Sequence, residues 1–300
     1  MTTQAVRVSR FGGPDVLETV EIPDPVAGEG EILVDVEVSD TLLLETVVRW
    51  GLGQDYWPVR PPYVPGGGVA GRDQDGRRVA GYTGGYGGYG GYAGKAVAVA
   101  AVEVPGGVSL RTAAALLHDA TTALALFEAT RIGPSDTVLV VGASGGLGAL
   151  EVQLAKARGA TVIAVARGVK LGRLGELGAD VLVDSGRPEW PRADVVLDNV
   201  GGALGAAAVP LVNPGGRFSA HGAAGGGFTT VDRPDVTVTG IEVAQLPDPD
   251  RLRHLAHALE LAAEGVLRPL VGQTFPLAEA AAAHAAMEAR TVVGKTLLIS

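Results

Sequence analysis

Between residue 1 and about residue 110 the chain alternates apolar and polar positions in short runs. Gln4 to Ser9, Leu17 to Ile22 and Glu31 to Val38 each show the period of two that a half-buried strand requires, and Gly or Pro bounds them. Leu42 to Trp50 reads as a short helix, and Pro58, Pro61, Pro62 and Pro65 then exclude regular helix. Further strands are expected over Gly66 to Gly71, Arg78 to Ala80 and Ala96 to Val104. Beyond Arg111 the period changes to helical. Thr112 to Ala129 carries apolar residues at three-to-four spacing and stops before Gly133-Pro134.

Strand and helix alternate from there on. Thr137 to Val141 is an apolar, β-branched run. Thr161 to Arg167, Val181 to Asp184, Asp194 to Asn199, Arg217 to Ala220 and Val236 to Val243 read as further strands, with a helix near Lys170 to Leu177. Such alternation implies an α/β doubly wound parallel sheet. Asp250 to Glu264 is an amphipathic helix, an Ala-rich helix runs through Glu288, and Val292 to Ile299 is a last strand. The domain reading is a Rossmann-like nucleotide-binding region over 113–272, with 1–112 and 273–300 forming a β-rich domain around it. A small-molecule cleft is expected between the two.

The stretch Thr137 to Ala155, TVLVVGASGGLGALEVQLA, carries the most chemistry. A buried strand runs into Gly142-Ala143-Ser144-Gly145-Gly146-Leu147-Gly148 and then into a helix. Glycines there permit a tight turn and a close approach of the main chain to a pyrophosphate, whose charge the helix N-terminus favours. The spacing is Gly142-x-x-Gly145-x-x-Gly148, not G-x-G-x-x-G, so the strand–turn–helix context carries the assignment to a dinucleotide. An enzyme using NAD places Asp or Glu about 20 residues beyond the turn, for the ribose 2′-hydroxyl. Ala166 occupies that slot, with Arg167 next and Lys170 further on. Cations there suit a 2′-phosphate and point to NADPH; the alternative is two ordinary surface charges.

Composition narrows the chemistry. The 300 residues contain no cysteine, which removes disulfides and thiolate metal sites, and a net charge of −9 leaves no basic surplus for nucleic acid. Catalytic zinc takes about three protein ligands. The five histidines, at 118, 221, 254, 257 and 284, are scattered, so no metal is expected. The N-terminus lacks the apolar core of a signal peptide, and no apolar run approaches the ~20 residues that cross a bilayer. The expectation is a cytoplasmic protein without membrane segments. Gly81 to Gly94, GYTGGYGGYGGYAG, is either a mobile loop anchored by tyrosines or an aromatic wall over a substrate.

Several short motifs together carry a resemblance. They are Phe11-Gly12-Gly13-Pro14-Asp15-Val16-Leu17, Pro62-Tyr63-Val64-Pro65-Gly66, Ala113-Ala114-Ala115 leading to Thr122-Ala123, the central turn, and Leu177-Gly178-Ala179-Asp180. Asp198-Asn199-Val200-Gly201-Gly202, Pro214-Gly215-Gly216-Arg217-Phe218 and Gly294-Lys295 complete the set. Over almost its whole length the chain resembles the medium-chain dehydrogenase/reductase superfamily, in its zinc-independent quinone oxidoreductase (zeta-crystallin-like) branch.

The resemblance implies a GroES-like β domain with a Rossmann domain, and NADPH-dependent reduction of a quinone or α,β-unsaturated carbonyl by hydride transfer. It also implies a homodimer paired through Val236 to Glu242. Alternatives are a biosynthetic enoyl reductase, or a non-redox cyclase or binding protein that retains the nucleotide fold. Where zinc-dependent relatives have His-Glu after Pro-Gly, this chain has Gly67-Gly68. Thr122, Asn199, Gly222 and Lys295 match positions near the nicotinamide or phosphates, and join Gly142, Ser144, Gly145, Gly146, Leu147, Gly148, Arg167 and Lys170 as cofactor-binding candidates. Relatives often carry Asn, an acid and Tyr in the segment matching Leu42 to Gly51; Leu42, Glu45 and Val47 stand there. The catalytic candidates are Glu45, Tyr63 and His221, the last either a substrate hydrogen-bond donor or a core histidine. A shortened turn at Asp73 to Gly76 suggests an open cleft for bulky substrates.

Overall fold

The computed structural model describes residues 1–84, 90–187 and 189–300. In chain order the elements are β1 (Thr2–Val8), β2 (Leu17–Pro23), β3 (Ile32–Asp40), α1 (Leu43–Arg49), β4 (Gly68–Asp73), β5 (Arg78–Thr83), β6 (Lys95–Glu103) and α2 (Leu110–Thr130). There follow β7 (Thr137–Val141), α3 (Gly146–Ala157), β8 (Thr161–Ala166), α4 (Gly172–Glu176), β9 (Val181–Asp184), β10 (Ala193–Asp198), α5 (Gly202–Ala208) and β11 (Val212–Ala220). The last are β12 (Thr237–Gly240), α6 (Asp248–Ala263), β13 (Val271–Pro276), α7 (Ala280–Glu288) and β14 (Lys295–Ile299). They fall into two compact units. The first comprises 1–118, 255–263 and 270–300; the second comprises 119–254 and 264–269.

The second unit is built on a six-stranded sheet in the order β12-β11-β10-β7-β8-β9, with every neighbouring pair parallel. The strand order reverses between β7 and β10. Side chains there are buried on both faces, which is why Thr137 to Val141 reads as a continuous apolar run rather than an alternating one. Leu139, Val141, Ile163, Val165, Val196 and Phe218 form one core cluster. The first unit has a six-stranded sheet in the order β13-β14-β3-β4-β5-β6, closed by an added β3–β6 pairing, and a separate β1-β2 hairpin. Pairing is antiparallel except between β13 and β14. β6 and β13 alternate, as one-face burial demands, whereas β4 and β5 are buried almost throughout.

Two stretches differ from the pattern reading. Val236 to Val243 is expected to be one strand, but β12 stops at Gly240, and a 3-10 turn covers Ile241–Ala244. The Glu242 carboxylate accepts the Gly240 N–H at 2.9 Å and so turns the chain out of the ladder. Val271 to Pro276 is a strand that the sequence reading passed over, although its exposure alternates residue by residue. In the Tyr-Gly tract, Tyr82 and Tyr92 are buried core residues, not an aromatic wall. Tyr86 and Tyr89 lie outside the described residues.

Candidate functional site

In the second unit the glycine turn lies where the strand order reverses, the place at which open α/β sheets bind ligands. Gly142 adopts φ 78°, a left-handed conformation that favours glycine. The N–H groups of Gly142 and Ala143 both donate to the Val165 carbonyl at 3.0 Å, tying the turn to β8. Gly145 is the N-cap of α3 and offers no side-chain cap. Backbone amides of the first turn are thus left to a ligand or solvent, and the helix dipole favours an anion there. A Cβ at Gly148 would stand 2.6 Å from the Gly142 oxygen and 2.8 Å from the Ala143 Cα. Glycine at 148 is what lets α3 start this close to the end of β7. Ser144 is buried beside these residues, and Gly146 and Leu147 form the first turn.

The neighbouring strand ends close in around this turn. A Cβ at Gly222 would meet the Asn199 carbonyl carbon at 1.9 Å, so β10 and β11 exit almost in contact. Buried Asp198 braces the exit of β10. Its Oδ1 accepts the N–H groups of Val200 and Gly201 at 3.0 and 2.8 Å, and its Oδ2 accepts the Thr229 hydroxyl at 2.5 Å. Asn199 Nδ2 donates to Glu151 Oε2 at 2.5 Å. His221 Nε2 lies 3.3 Å from Glu151 Oε1, and its Nδ1 lies 2.9 Å from the Ser219 hydroxyl. The His221 side chain is buried with both nitrogens facing protein groups, a placement that fits a core histidine better than a substrate contact. Glu151, fully buried on α3, was not singled out by its position in the sequence.

Ala166 ends β8 in a buried position, and no carboxylate occupies the expected ribose slot. Arg167 follows, exposed, and Lys170 is partly buried; burial, then the nearby Arg167 charge, lowers the Lys170 ammonium pKa. An anion placed between them would relieve both effects. Asp184 is close by, with its Oδ1 accepting the Gly168 and Gly186 N–H groups at 3.2 and 3.0 Å. Thr122 lies partly buried on α2.

The first unit holds the remaining candidates. Glu45, on α1, is buried; its Oε2 accepts the Leu42 N–H at 3.0 Å and the Tyr92 hydroxyl at 2.6 Å, and its Oε1 accepts the Gly67 N–H at 3.1 Å. Burial pushes its carboxyl above the ordinary range despite these donors. Tyr63 is buried too, and burial followed by the Glu45 charge raises its phenol. Lys295 Nζ sits 2.7 Å from Asp40 Oδ1, and His118 Nδ1 sits 2.6 Å from Asp40 Oδ2. Burial pushes the Asp40 carboxyl up, but Lys295 and His118 more than offset it and hold it below the ordinary range. Neither Asp40 nor His118 stood out in the sequence. The available signal was a charged residue on the buried period of β3 and a histidine in an otherwise apolar helix, ALLHDATTA.

Behind Glu45 a polar chain continues inward. Because Tyr92 donates to Glu45, His284 Nε2 must donate to the Tyr92 oxygen at 3.0 Å, and His284 Nδ1 accepts from Arg49 at 3.1 Å. His284 is therefore neutral, and burial followed by the Arg49 charge pushes its pKa down to about 3. A histidine depressed in the fold contributes stability that is complete above its unfolded value of 6.5 and is lost as pH falls toward 3. Glu45 acts oppositely above 4.5, because its raised carboxyl favours the fold at lower pH. The His284 loss should thus stand clear of the Glu45 effect between pH 4.5 and 3, with a slope of up to about 1.4 kcal/mol per pH unit. Urea melts across this window should show a shallower slope for His284→Gln than for the wild type; equal slopes would refute the assignment.

Among the described residues, no three histidine or carboxylate side chains come together to hold a metal ion, and no helix is long and apolar enough to cross a membrane. Residues 177–298 match the family model described as zinc-binding dehydrogenase. A quinone oxidoreductase of Pseudomonas aeruginosa is 29% identical, over 98% of this chain and 98% of its own length. The solved structure of a mycobacterial protein complexed with NADPH superposes with a TM-score of 0.86 at 27% identity, covering 99% of this chain and 100% of that one. An NAD-dependent alcohol dehydrogenase structure superposes with a TM-score of 0.87 at 28% identity, covering 99% of both. In fold, glycine turn and relatives the chain is similar to the medium-chain dehydrogenase/reductase superfamily, and those relatives support an oxidoreductase that uses a nicotinamide nucleotide. Within that superfamily its relatives include quinone oxidoreductases.

Proposed function

We propose that the protein is an NADPH-dependent, zinc-independent reductase of quinones or α,β-unsaturated carbonyls. The observation that carries the cofactor choice is the end of β8, where buried Ala166 replaces a ribose-binding acid and Arg167 and Lys170 supply two cations. The turn from Gly142 to Gly148 and the uncapped start of α3 would hold the pyrophosphate, and Asn199 and Gly222 would border it. The nucleotide, when bound, supplies the hydride, and the chain's residues bind it, orient it and exclude water. The mycobacterial relative with NADPH supports this choice. The metal-free reading rests on the donor set: there is no cysteine, and Gly67-Gly68 follow Pro65-Gly66. We further propose a homodimer paired through β12, an edge strand of its sheet.

Fluorescence titration tests the cofactor. NADPH should bind at least about tenfold more tightly than NADH, since one charged hydrogen bond contributes about 1.5–3 kcal/mol and 1.4 kcal/mol is tenfold. The Arg167→Ala/Lys170→Ala variant should lose most of that preference while keeping its NADH affinity. Equal affinities in the wild type would sink the NADPH assignment. NADPH oxidation followed by absorbance with quinones and enones tests the reaction itself.

A further inference from the structure

Buried polar atoms are nearly always hydrogen-bonded, so a cluster that is not calls for a partner. Such a cluster lies in the second unit, where Glu151 Oε1, Asn199 Oδ1 and His221 Nε2 are buried and have no hydrogen-bond partner among the described residues. The three side chains adjoin. Glu151, fully buried on α3, accepts from Asn199 Nδ2 at 2.5 Å through its Oε2. Its Oε1 stands 3.3 Å from His221 Nε2, out of hydrogen-bonding alignment. His221 is held from its other side by the Ser219 hydroxyl, 2.9 Å from Nδ1.

The contact with Glu151 sets the direction of the Asn199 amide. A carboxylate only accepts, so the amide nitrogen faces it, and Oδ1, on the other branch of the amide, faces away. The Asn199 backbone is fixed as well, its N–H donating to the Val141 carbonyl at 3.1 Å. Its Cβ stands beside the glycine turn, 3.3 Å from where a Cβ at Gly142 would lie. Oδ1 is thus a bare acceptor at the reversal of strand order between β7 and β10, where open α/β sheets bind ligands. Leaving a buried acceptor unpaired is unfavourable, and a donor from a ligand offsets that cost.

On the cofactor reading above, the pyrophosphate lies on the turn and the 2′-phosphate beyond β8, near Arg167 and Lys170. The other half of the dinucleotide then extends the opposite way, over the ends of β10 and β11. Resting on that reading, we propose that Glu151 is a positioning residue for the cofactor. It orients Asn199 so that Oδ1 accepts a hydrogen bond from the nicotinamide half, either from the carboxamide N–H or from a ribose hydroxyl. Glu151 is fully buried and acts only through Asn199. Without it the amide is free to turn over, and its NH2 then presents a donor where an acceptor is needed.

Calorimetric titrations compare NADPH with adenosine 2′,5′-bisphosphate, which lacks the nicotinamide half. In Glu151→Leu, NADPH affinity should fall about tenfold, the scale of one hydrogen bond, while affinity for the bisphosphate stays at the wild-type value. Glu151→Ala takes its place if the Leu variant fails to fold. Asn199→Ala should give the same pattern. The double variant should bind NADPH no more weakly than Asn199→Ala alone, because the two residues act as one unit. The reduced 3-acetylpyridine analogue, with a methyl group in place of the carboxamide amine, identifies the donor. A Glu151→Leu loss that disappears with it assigns the carboxamide, one that persists assigns a ribose hydroxyl, and both support the proposal. Wild-type NADPH affinity in a folded Glu151→Leu protein would overturn it. So would equal losses for NADPH and the bisphosphate, the mark of a displaced α3, and so would additive losses of about a hundredfold in the double variant. A wild type that binds NADH as tightly as NADPH overturns the NADPH choice alone, and the same comparison then runs with NADH and ADP. A wild type that binds neither dinucleotide overturns the nucleotide reading, and the proposal with it.

Discussion

Arg49→Ala should cost about 3–5 kcal/mol of folding stability, the range for removing one partner of a buried ion pair. Arg49 ends α1, and its side chain is fully buried. Its Nε donates to the Gly12 carbonyl at 3.1 Å, one Nη donates to His284 Nδ1 at 3.1 Å, and the other pairs with Glu288. Truncation leaves the Gly12 carbonyl and His284 Nδ1 without this donor, leaves Glu288 with Trp50 Nε1 alone, and opens a cavity beside them, and both effects destabilise. The partners come from the N-terminal loop and from α7, so this one side chain ties together segments more than two hundred residues apart in the chain. Arg10, whose pair with Asp15 is largely exposed on both sides, serves as the comparison, and its removal should change little. Urea denaturation with linear extrapolation measures both variants. A loss below about 1 kcal/mol for Arg49→Ala would show that the buried network contributes far less than its geometry implies.

Gly148→Ala should weaken NADPH binding about a hundredfold, or roughly 2.8 kcal/mol at 1.4 kcal/mol per tenfold. The obstacle to a methyl group is backbone on the opposing side, the Gly142 oxygen at 2.6 Å and the Ala143 Cα at 2.8 Å, and backbone has no rotamer to yield. Either α3 withdraws from the end of β7 or the turn deforms; both move the first-turn amides relative to the phosphate position. Gly172→Ala is the control, because a Cβ there meets nothing within 4 Å. Thermal melts of both variants separate lost binding from lost folding. Wild-type affinity in a folded Gly148→Ala protein would mean that the pyrophosphate does not lie on this turn.

The nucleotide half was legible because its chemistry is local. Strand, turn and helix are consecutive from Thr137 to Ala157, and Ala166 and Arg167 lie at a fixed distance along the next strand. Period, glycine spacing and the slot after β8 all act within some thirty residues. The edge strand misled because an apolar, β-branched run meets Gly240 and a capping Glu242, and a local hydrogen bond outweighs strand propensity there. The sequence also pointed to Glu45 and His221 as reactive groups. Type and position suggested this; the burial of both side chains, the three donors to Glu45 and the Ser219 contact of His221 arise only on folding.

By itself, then, the sequence determined the class of fold, the glycine turn between strand and helix and the identity of the groups beyond β8, since each depends on neighbours along the chain. Only the tertiary structure decided which distant polar residues meet. Asp40 joins His118 and Lys295, Arg49 joins His284 and Glu288, and Glu151 joins Asn199 and His221. The hydrophobic period states which face of an element is buried, but not which other face it is buried against. A charge placed on a buried face gains its meaning from the partner that packing brings to it.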